Sequence, residues 1–253
     1  MNTLLYSLTG GTLIAAAAAC LGTLMLSRRM ALVAGPLGHL TLPGIALAML
    51  WGFDISLGAF PFVVLGIVLI WLLGRRTRLP MEALTAVVFA SGVAIAFLLL
   101  PMAEAEAALI GNIARLGAGS AIVCGIASVG ILLILRRTYP QLVLGSISED
   151  LAAAEGIAYR RYELLYLFLI AVIVALGVKV VGGLLTAALV AIPPAAARNL
   201  AGNLRQYVRV AIMIGMASAV TGILLSTASG LPAGPLVVLA SALVFLCTLP
   251  FAR

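Results

Sequence analysis

The placement of charged residues constrains the fold of this chain more than any other feature of its sequence. Acidic and basic residues make up 9% of the chain and lie in short clusters that alternate with long apolar runs. Soluble domains carry about 25% charged residues. A globular core could not bury a chain in which 64% of the residues are hydrophobic. The sequence therefore predicts a protein whose main solvent is lipid.

The length of the apolar runs predicts an all-α polytopic membrane protein with about nine transmembrane helices. A span needs about 20 apolar residues, because it crosses roughly 30 Å of hydrocarbon. Only Lys179, Gly182 and Gly183 separate the sixth run from the seventh. An eight-span arrangement, with the first run lying in the membrane interface, is the alternative. The predicted spans form one domain over residues 1–253, and they are 4–26, 31–51, 57–74, 83–101, 119–135, 163–178, 180–197, 209–227 and 235–251.

The basic residues predict the orientation of these spans. If the N-terminus lies outside, every basic residue except Arg115 and Lys179 falls on the cytoplasmic side. This is the positive-inside pattern, so we expect a prokaryotic plasma-membrane protein with its N-terminus outside and its C-terminus in the cytoplasm. Phospholipid headgroups and the membrane potential then account for the net charge of +7, and we expect no nucleic-acid partner.

The longest connection between spans, at about residues 138–162, contains "SISEDLAAAEGI" and is cytoplasmic in this topology. Ser148 can cap a helix, Glu149 and Asp150 favour its N-terminal dipole, and Gly156 suits its end. The sequence therefore predicts a short surface helix of about two turns. This helix is either a solvated connection or a docking element for a cytosolic partner. On the outer side, Glu104 and Glu106 either attract cations at an entrance or keep an external loop solvated.

Motifs of catalysis and nucleotide binding are missing from the sequence. It contains no GxxxxGK[ST], and Lys179 is its only lysine, so it does not bind ATP through a P-loop. It contains neither HExxH nor a GxSxG with a suitable histidine partner. A membrane enzyme would have to use His39, the single histidine, as its acid or base. A scaffold or sensor without transport activity is a further alternative.

A series of segments resembles the ABC-3 family, the permease subunits of zinc, manganese and iron ABC importers. "RRMALVAGPLGHLTLPGIALAML" is similar to the second-span signature of that family, and "SISEDLAAAEGI" to its cytoplasmic helix. "VVGGLLTAALVAIPPAAARNLAGNLRQ" and "GLPAGPLVVLASALVFL" are similar to its later elements. The resemblance follows the family's order from about residue 10 to 251, and it implies a permease bundle of the type II importer kind.

The resemblance also implies partners. Two permease chains would pair, as a homodimer in the simplest case, and each would dock on a cytosolic ATP-binding subunit. An extracytoplasmic solute-binding protein would deliver a divalent metal ion, and the chain itself would hold no cofactor. In this reading the cytoplasmic helix couples the permease to the ATPase. The coupling residues implied are Ser148, Glu149, Asp150, Ala154, Glu155 and Gly156.

His39 occupies the position at which the family keeps an imidazole. The family has an aspartate four residues earlier, on the same helix face, and Gly35 stands at that position here. Ionisable residues inside membranes are functional by default, so His39 is a candidate metal ligand. Without the carboxylate, several interpretations remain open. Either His39 of a second subunit completes the site, or the substrate is an ion other than zinc or manganese. Alternatively, the chain is a divergent permease with weakened metal handling, or the imidazole is structural.

Prolines within two spans predict interruptions of the helix. Pro43 and Gly44 follow His39, and Pro193 with Pro194 lies in the seventh predicted span. Proline removes a backbone donor, which membranes tolerate only where neighbours or a cavity satisfy the freed carbonyl. Each interruption is either a bend required for packing or part of a discontinuous helix lining a transport path.

Overall fold

The computed structural model describes residues 2–28, 34–77, 79–99, 117–180 and 183–251. Within these ranges the chain is helical and contains no strand. A short 3₁₀ turn, Leu249–Phe251, follows the last helix. The helices are α1 (Asn2–Ser27), α2 (Ala34–His39), α3 (Leu42–Trp51), α4 (Ile55–Arg76), α5 (Met81–Leu99), α6 (Ala118–Ile147), α7 (Glu149–Ala154), α8 (Tyr159–Val180), α9 (Gly183–Leu200), α10 (Leu204–Ser229) and α11 (Ala233–Thr248).

The all-α polytopic fold predicted from the sequence is confirmed. In the part of the chain that the structure describes, seven helices are long and apolar enough to span a membrane, namely α1, α4, α5, α6, α8, α10 and α11. The second predicted span is two short helices, α2 and α3, and the seventh is α9. The last two residues of the fourth predicted span, 100 and 101, and the external Glu104 and Glu106 lie outside the described residues.

Helix α1 lies at the centre of the bundle, which does not fit the interfacial alternative for this segment. It packs against α6, α8, α9 and α10, and its alanines from Ala15 to Ala19 are at most 2% exposed. Small side chains let the neighbouring backbones come close. A Cβ added at Gly215 of α10 would lie 3.0 Å from the carbonyl oxygen of Ala15. The alanine run thus lets α6, α8, α9 and α10 pack closely around α1.

The second predicted span is interrupted between α2 and α3. The Leu40 N–H donates to the Pro36 carbonyl at 3.1 Å, and the Thr41 hydroxyl donates to the Gly38 carbonyl at 2.5 Å. Pro43 then lies in the first turn of α3, where a missing N–H costs nothing. The helix is therefore interrupted at Leu40 and Thr41, and Pro43 follows in the first turn of α3.

Leu40, at this interruption, is buried in a notch formed by two glycines of neighbouring helices. Its methyl carbons lie 2.5 Å from a Cβ position built on Gly66 of α4 and 2.6 Å from one built on Gly92 of α5. A larger residue at either glycine would displace Leu40. The interruption is therefore a packed feature of the bundle that positions the end of α2.

The end of the fifth predicted span requires correction. The fifth span was predicted to end at residue 135, but α6 continues to Ile147 through Pro140, because Leu142 and Gly145 stay buried in the bundle. The segment 138–162 is therefore part helix α6, part α7 and part α8. Pro193 and Pro194, at the predicted break or bend of the seventh span, lie inside the continuous helix α9.

The prolines of α9 are accommodated by close contact with α1. Pro193 and Pro194 are both buried, and Pro194 cannot donate to the Val190 carbonyl one turn earlier. That carbonyl contacts Gly22 of α1, and a Cβ built at Gly22 would also lie 2.7 Å from the Cγ of Pro194. A glycine on α1 thus admits both the freed carbonyl and the proline ring.

Candidate functional site

His39 is the last residue of α2 and is half-buried. Its ring meets the ring of Phe89 on α5 edge to face, with centroids 5.2 Å apart and an interplanar angle of 85°. Leu40, the next residue, is fixed in the Gly66–Gly92 notch. The backbone at His39 is therefore held on its C-terminal side, and the imidazole lies at the contact between α2 and α5.

The described part of the chain does not surround His39 with metal ligands. Among the residues that the structure describes, no three of the types His, Cys, Asp and Glu come together in a metal-binding arrangement. Gly35, on the same short helix, has no side chain to offer. Imidazole is a suitable ligand for zinc and related ions, but it is one ligand of the four that zinc takes in closed sites. A permanent metal site made by these residues of one chain is not present.

Helix α5, which carries Phe89, has few neighbours in the bundle. Only 22% of the residues from Glu82 to Leu99 are buried, and Leu98 is 86% exposed. Helix α11 is equally open. In a membrane these faces meet either lipid or another protein chain. The histidine thus lies beside one of the most open helices of the bundle.

Helix α7 forms with the caps predicted from the sequence. The Ser148 hydroxyl oxygen accepts a hydrogen bond from the Leu151 N–H at 3.2 Å. At the other end Gly156 has φ of +73°, and its N–H donates to the Ala153 carbonyl at 3.0 Å. Glycine adopts this left-handed conformation without the steric cost that a Cβ brings. The short helix is thus defined at both ends by local chemistry.

Ala152 anchors α7, whereas Asp150, Leu151, Ala153 and Ala154 are exposed. Ala152 is fully buried where α7 packs against α6 and α8. Ile147 and Leu151 are 74% and 53% exposed. We call the exposed residues from Ile147 to Gly156 the docking face, which comprises Ile147, Asp150, Leu151, Ala153, Ala154, Glu155 and Gly156. Apolar and acidic side chains on a helix with one small anchor give a surface suited to a protein partner.

Arg28 joins the helices around α7, a role that the sequence analysis missed. Its guanidinium donates to the Leu142 carbonyl of α6 at 3.1 Å. The guanidinium carbon lies 4.9 Å from the centroid of the Tyr166 ring and 5.5 Å from that of Tyr159, both on α8. We call this set of four residues the Arg28 junction. It ties the end of α1 to the two helices that flank α7.

Neighbouring contacts reinforce the Arg28 junction. Tyr166 is fully buried, and its hydroxyl donates to the Leu21 carbonyl of α1 at 3.2 Å. Gly145 of α6 lies directly against the Tyr159 ring. The sequence signal that could have indicated this junction is the group of tyrosines and arginines from residue 159 to 166. Nothing in a single sequence says which distant residue such a group will contact.

Several known proteins are similar to this chain in sequence or in fold. The family described as the ABC 3 transport family matches residues 1–252. The zinc uptake membrane protein ZnuB of Haemophilus influenzae is 28% identical over 255 residues, covering 96% of this chain and 95% of that protein. The manganese import permease ScaB of Streptococcus gordonii is 26% identical over 233 residues, covering 90% and 84%. Among solved structures, PsaBC of Streptococcus pneumoniae, in complex with Fab, matches with a TM-score of 0.85 and 24% identity, covering 98% and 91% of the two chains.

Proposed function

Because this chain belongs to the ABC 3 transport family, we propose that it is the permease subunit of an importer for divalent metal ions such as zinc, manganese or iron. It is a multi-pass membrane protein and a transporter component. The observation that carries the proposal is the family match over residues 1–252, together with a capped, exposed helix between two membrane-spanning helices. Substrate crosses by alternating access, driven by ATP hydrolysis on a separate subunit.

The docking face is the surface proposed to receive that ATPase subunit. Glu149 begins α7, and Asp150 and Glu155 are exposed beside apolar Ile147 and Leu151. Carboxylates around an apolar centre provide both burial and orientation when a protein docks. The sequence contains no P-loop, so in this proposal the partner subunit binds and hydrolyses ATP while this chain forms the membrane path.

The Arg28 junction is proposed to transmit movement of the docking face to α1 and the helices that follow it. Arg28 directly follows α1, and α2 with His39 is the next helix that the structure describes along the chain. A shift of α6 and α8 would pull on the end of α1 through the Leu142 hydrogen bond and the two tyrosine rings. We assign Arg28 a positioning role between docking and gating.

His39 is proposed to contact the metal ion during passage. A neutral imidazole binds borderline divalent ions, and transport needs binding weak enough for release. The open face of α5 would admit a second permease chain, so that the substrate path runs between two copies with a His39 on each side. In this arrangement the arginine-rich ends face the cytoplasm, and an extracytoplasmic binding protein delivers the ion from the opposite side.

The proposal is tested by reconstituting the permease with its ATPase and its solute-binding protein in proteoliposomes. We expect radioactive zinc or manganese to accumulate in an ATP-dependent manner, and metal-loaded binding protein to stimulate ATP hydrolysis. Replacing His39 by alanine or glutamine is expected to lower uptake about tenfold while the complex stays assembled. Uptake equal to wild type in both variants would mean that the imidazole is structural. Absence of metal-stimulated hydrolysis in the wild-type complex would refute the importer function itself.

The docking proposal has its own test. Replacing Glu149, Asp150 and Glu155 together by alanine is expected to reduce the ATPase that co-purifies with the permease about tenfold. Glu82, an exposed carboxylate in the first turn of α5, provides the matched control, and Glu82→Ala should leave co-purification unchanged. If the triple variant retains the ATPase and its coupled hydrolysis, the docking face is a solvated connection.

A further inference from the structure

A groove lies between α6 and α10 on the side of the bundle where both helices carry arginines. It encloses about 1070 Å³, at the upper limit of the roughly 300–1,000 Å³ typical of small-molecule pockets. Its walls are apolar side chains of the two helices, and Cys20 of α1 is also part of the lining. The apolar residues that define it are Leu132, Val143, Leu144, Val208 and Ile212.

Three arginines line the same groove. Arg136 lies on α6, and Arg205 and Arg209 lie on the first turns of α10. Residues four apart on a helix are neighbours, and two like charges at that spacing repel each other. Among the described residues that line the groove, none is acidic. The groove therefore combines apolar walls with a concentration of positive charge.

Helix α10 adds to this positive field. It begins at Leu204, so Arg205 lies in its first turn, where the helix dipole already favours anions. An anion placed among the three arginines would relieve their mutual repulsion. A divalent cation would be repelled, so the groove is separate in chemistry from the proposed metal path.

We propose that this groove binds an anionic phospholipid of the cytoplasmic leaflet, with its phosphate among Arg136, Arg205 and Arg209 and an acyl chain along the apolar walls. The proposal rests on the orientation proposed above, in which the arginine-rich end faces the cytoplasm. Basic pockets between membrane helices on that side are suited to anionic headgroups. A second copy of this chain fits less well, because an isologous contact would bring two sets of three arginines together.

The position of the groove gives the lipid a role beyond solvation. Ile147, which belongs to the docking face, also lines the groove. Tyr139, another lining residue, shares a hydrogen bond of 3.0 Å with Thr23 of α1. A bound lipid would therefore contact α1, α6 and α10 next to α7. Anionic lipid is expected to strengthen coupling between ATP hydrolysis and transport.

Native mass spectrometry of the purified transporter complex provides the test, with phosphatidylglycerol and phosphatidylethanolamine offered in equal amounts. We expect selective retention of phosphatidylglycerol, weakened about fivefold for each arginine replaced by glutamine, which is the factor for one basic residue at an anionic lipid surface. Arg137 is exposed on the same helix and does not line the groove. Arg137→Gln is thus the matched control and should retain the lipid.

Three results would overturn the proposal. Equal retention of the two lipids would remove the headgroup preference, and displacement of phosphatidylglycerol by inorganic phosphate would make the groove a site for small anions only. The third is disulfide trapping of two permease chains through Val143→Cys, made in a Cys247→Ser background, which would make the groove an interface between copies. Each readout is independent of metal uptake, so failure here is distinguishable from failure of the importer function.

Discussion

The contact between α3 and α4 allows a substitution whose cost can be worked out from the structure. Gly44 of α3 lies against Gly58 of α4. A Cβ at Gly44 would meet the Gly58 carbonyl oxygen, with the carbonyl carbon at 2.6 Å and Cδ2 of Phe62 at 2.9 Å. Close carbon–oxygen contacts lie at about 3.3–3.6 Å. The two opposing Gly58 atoms belong to backbone and cannot rotate away, so Gly44→Ala forces α3 and α4 apart by about 1 Å.

Two opposing terms set the magnitude of this effect. Alanine gains about 1 kcal/mol over glycine in a helix interior. Overpacking costs about 1–3 kcal/mol, and a rigid backbone partner puts Gly44 at the top of that range. We therefore expect a net loss of about 2 kcal/mol for Gly44→Ala. Because α3 follows the interruption at Leu40, the same displacement is expected to lower metal uptake.

Gly130→Ala provides the matched control. Gly130 lies inside α6, and no atom lies within 4 Å of its Cβ position, so alanine should be neutral or stabilising there by up to about 1 kcal/mol. The apparent unfolding midpoint, measured in one detergent at one heating rate because unfolding of such proteins is irreversible, should fall by about 4–8 °C for Gly44→Ala. Equal midpoints for the two variants would refute the close packing of α3 on α4.

Three further predictions follow from single contacts. Arg28→Gln removes the cation from two tyrosine rings and should lower uptake per ATP hydrolysed about tenfold; a ratio equal to wild type would contradict the junction's role. Gly156→Ala forces a Cβ into φ of +73° at a cost of about 1–2 kcal/mol, so less ATPase should co-purify, whereas Gly156→Asn should keep it. Leu40→Ala empties the notch between Gly66 and Gly92 and should destabilise the permease by about 2–5 kcal/mol, measured as a lower unfolding midpoint than that of Leu40→Met.

The positions of the membrane-spanning helices could be predicted because they depend on the length and hydropathy of continuous segments of the sequence. An apolar run of sufficient length has to be helical in lipid, whatever it packs against. The end of α6 could not be predicted in this way. The arginine pair at 136 and 137 ends the apolar run, yet Leu142 and Gly145 continue to pack in the bundle. Tertiary contact there extends a helix past the point where hydropathy ends it.

Tertiary contact also decides whether a proline interrupts its helix. Pro43 falls in the first turn of α3 and marks an interruption, whereas Pro193 and Pro194 lie inside a continuous α9. The difference is set by Gly22 on α1, which makes room for the freed carbonyl and the ring. That partner is far away in sequence, so composition alone predicts a weak point in the helix but cannot decide whether it breaks.

The missing aspartate at Gly35 changes what His39 can do in a permease. With glycine at position 35, helix α2 can offer a divalent ion the His39 imidazole but no carboxylate, and a neutral ligand leaves the full positive charge of the ion unbalanced in a low-dielectric environment. If His39 contacts the ion as proposed, such a site would hold it briefly, which suits passage more than storage. Pairing of two copies across α5 would supply a second imidazole without adding negative charge. If His39 acts in transport, its affinity for the ion should therefore depend on the assembled pair and not on the single chain.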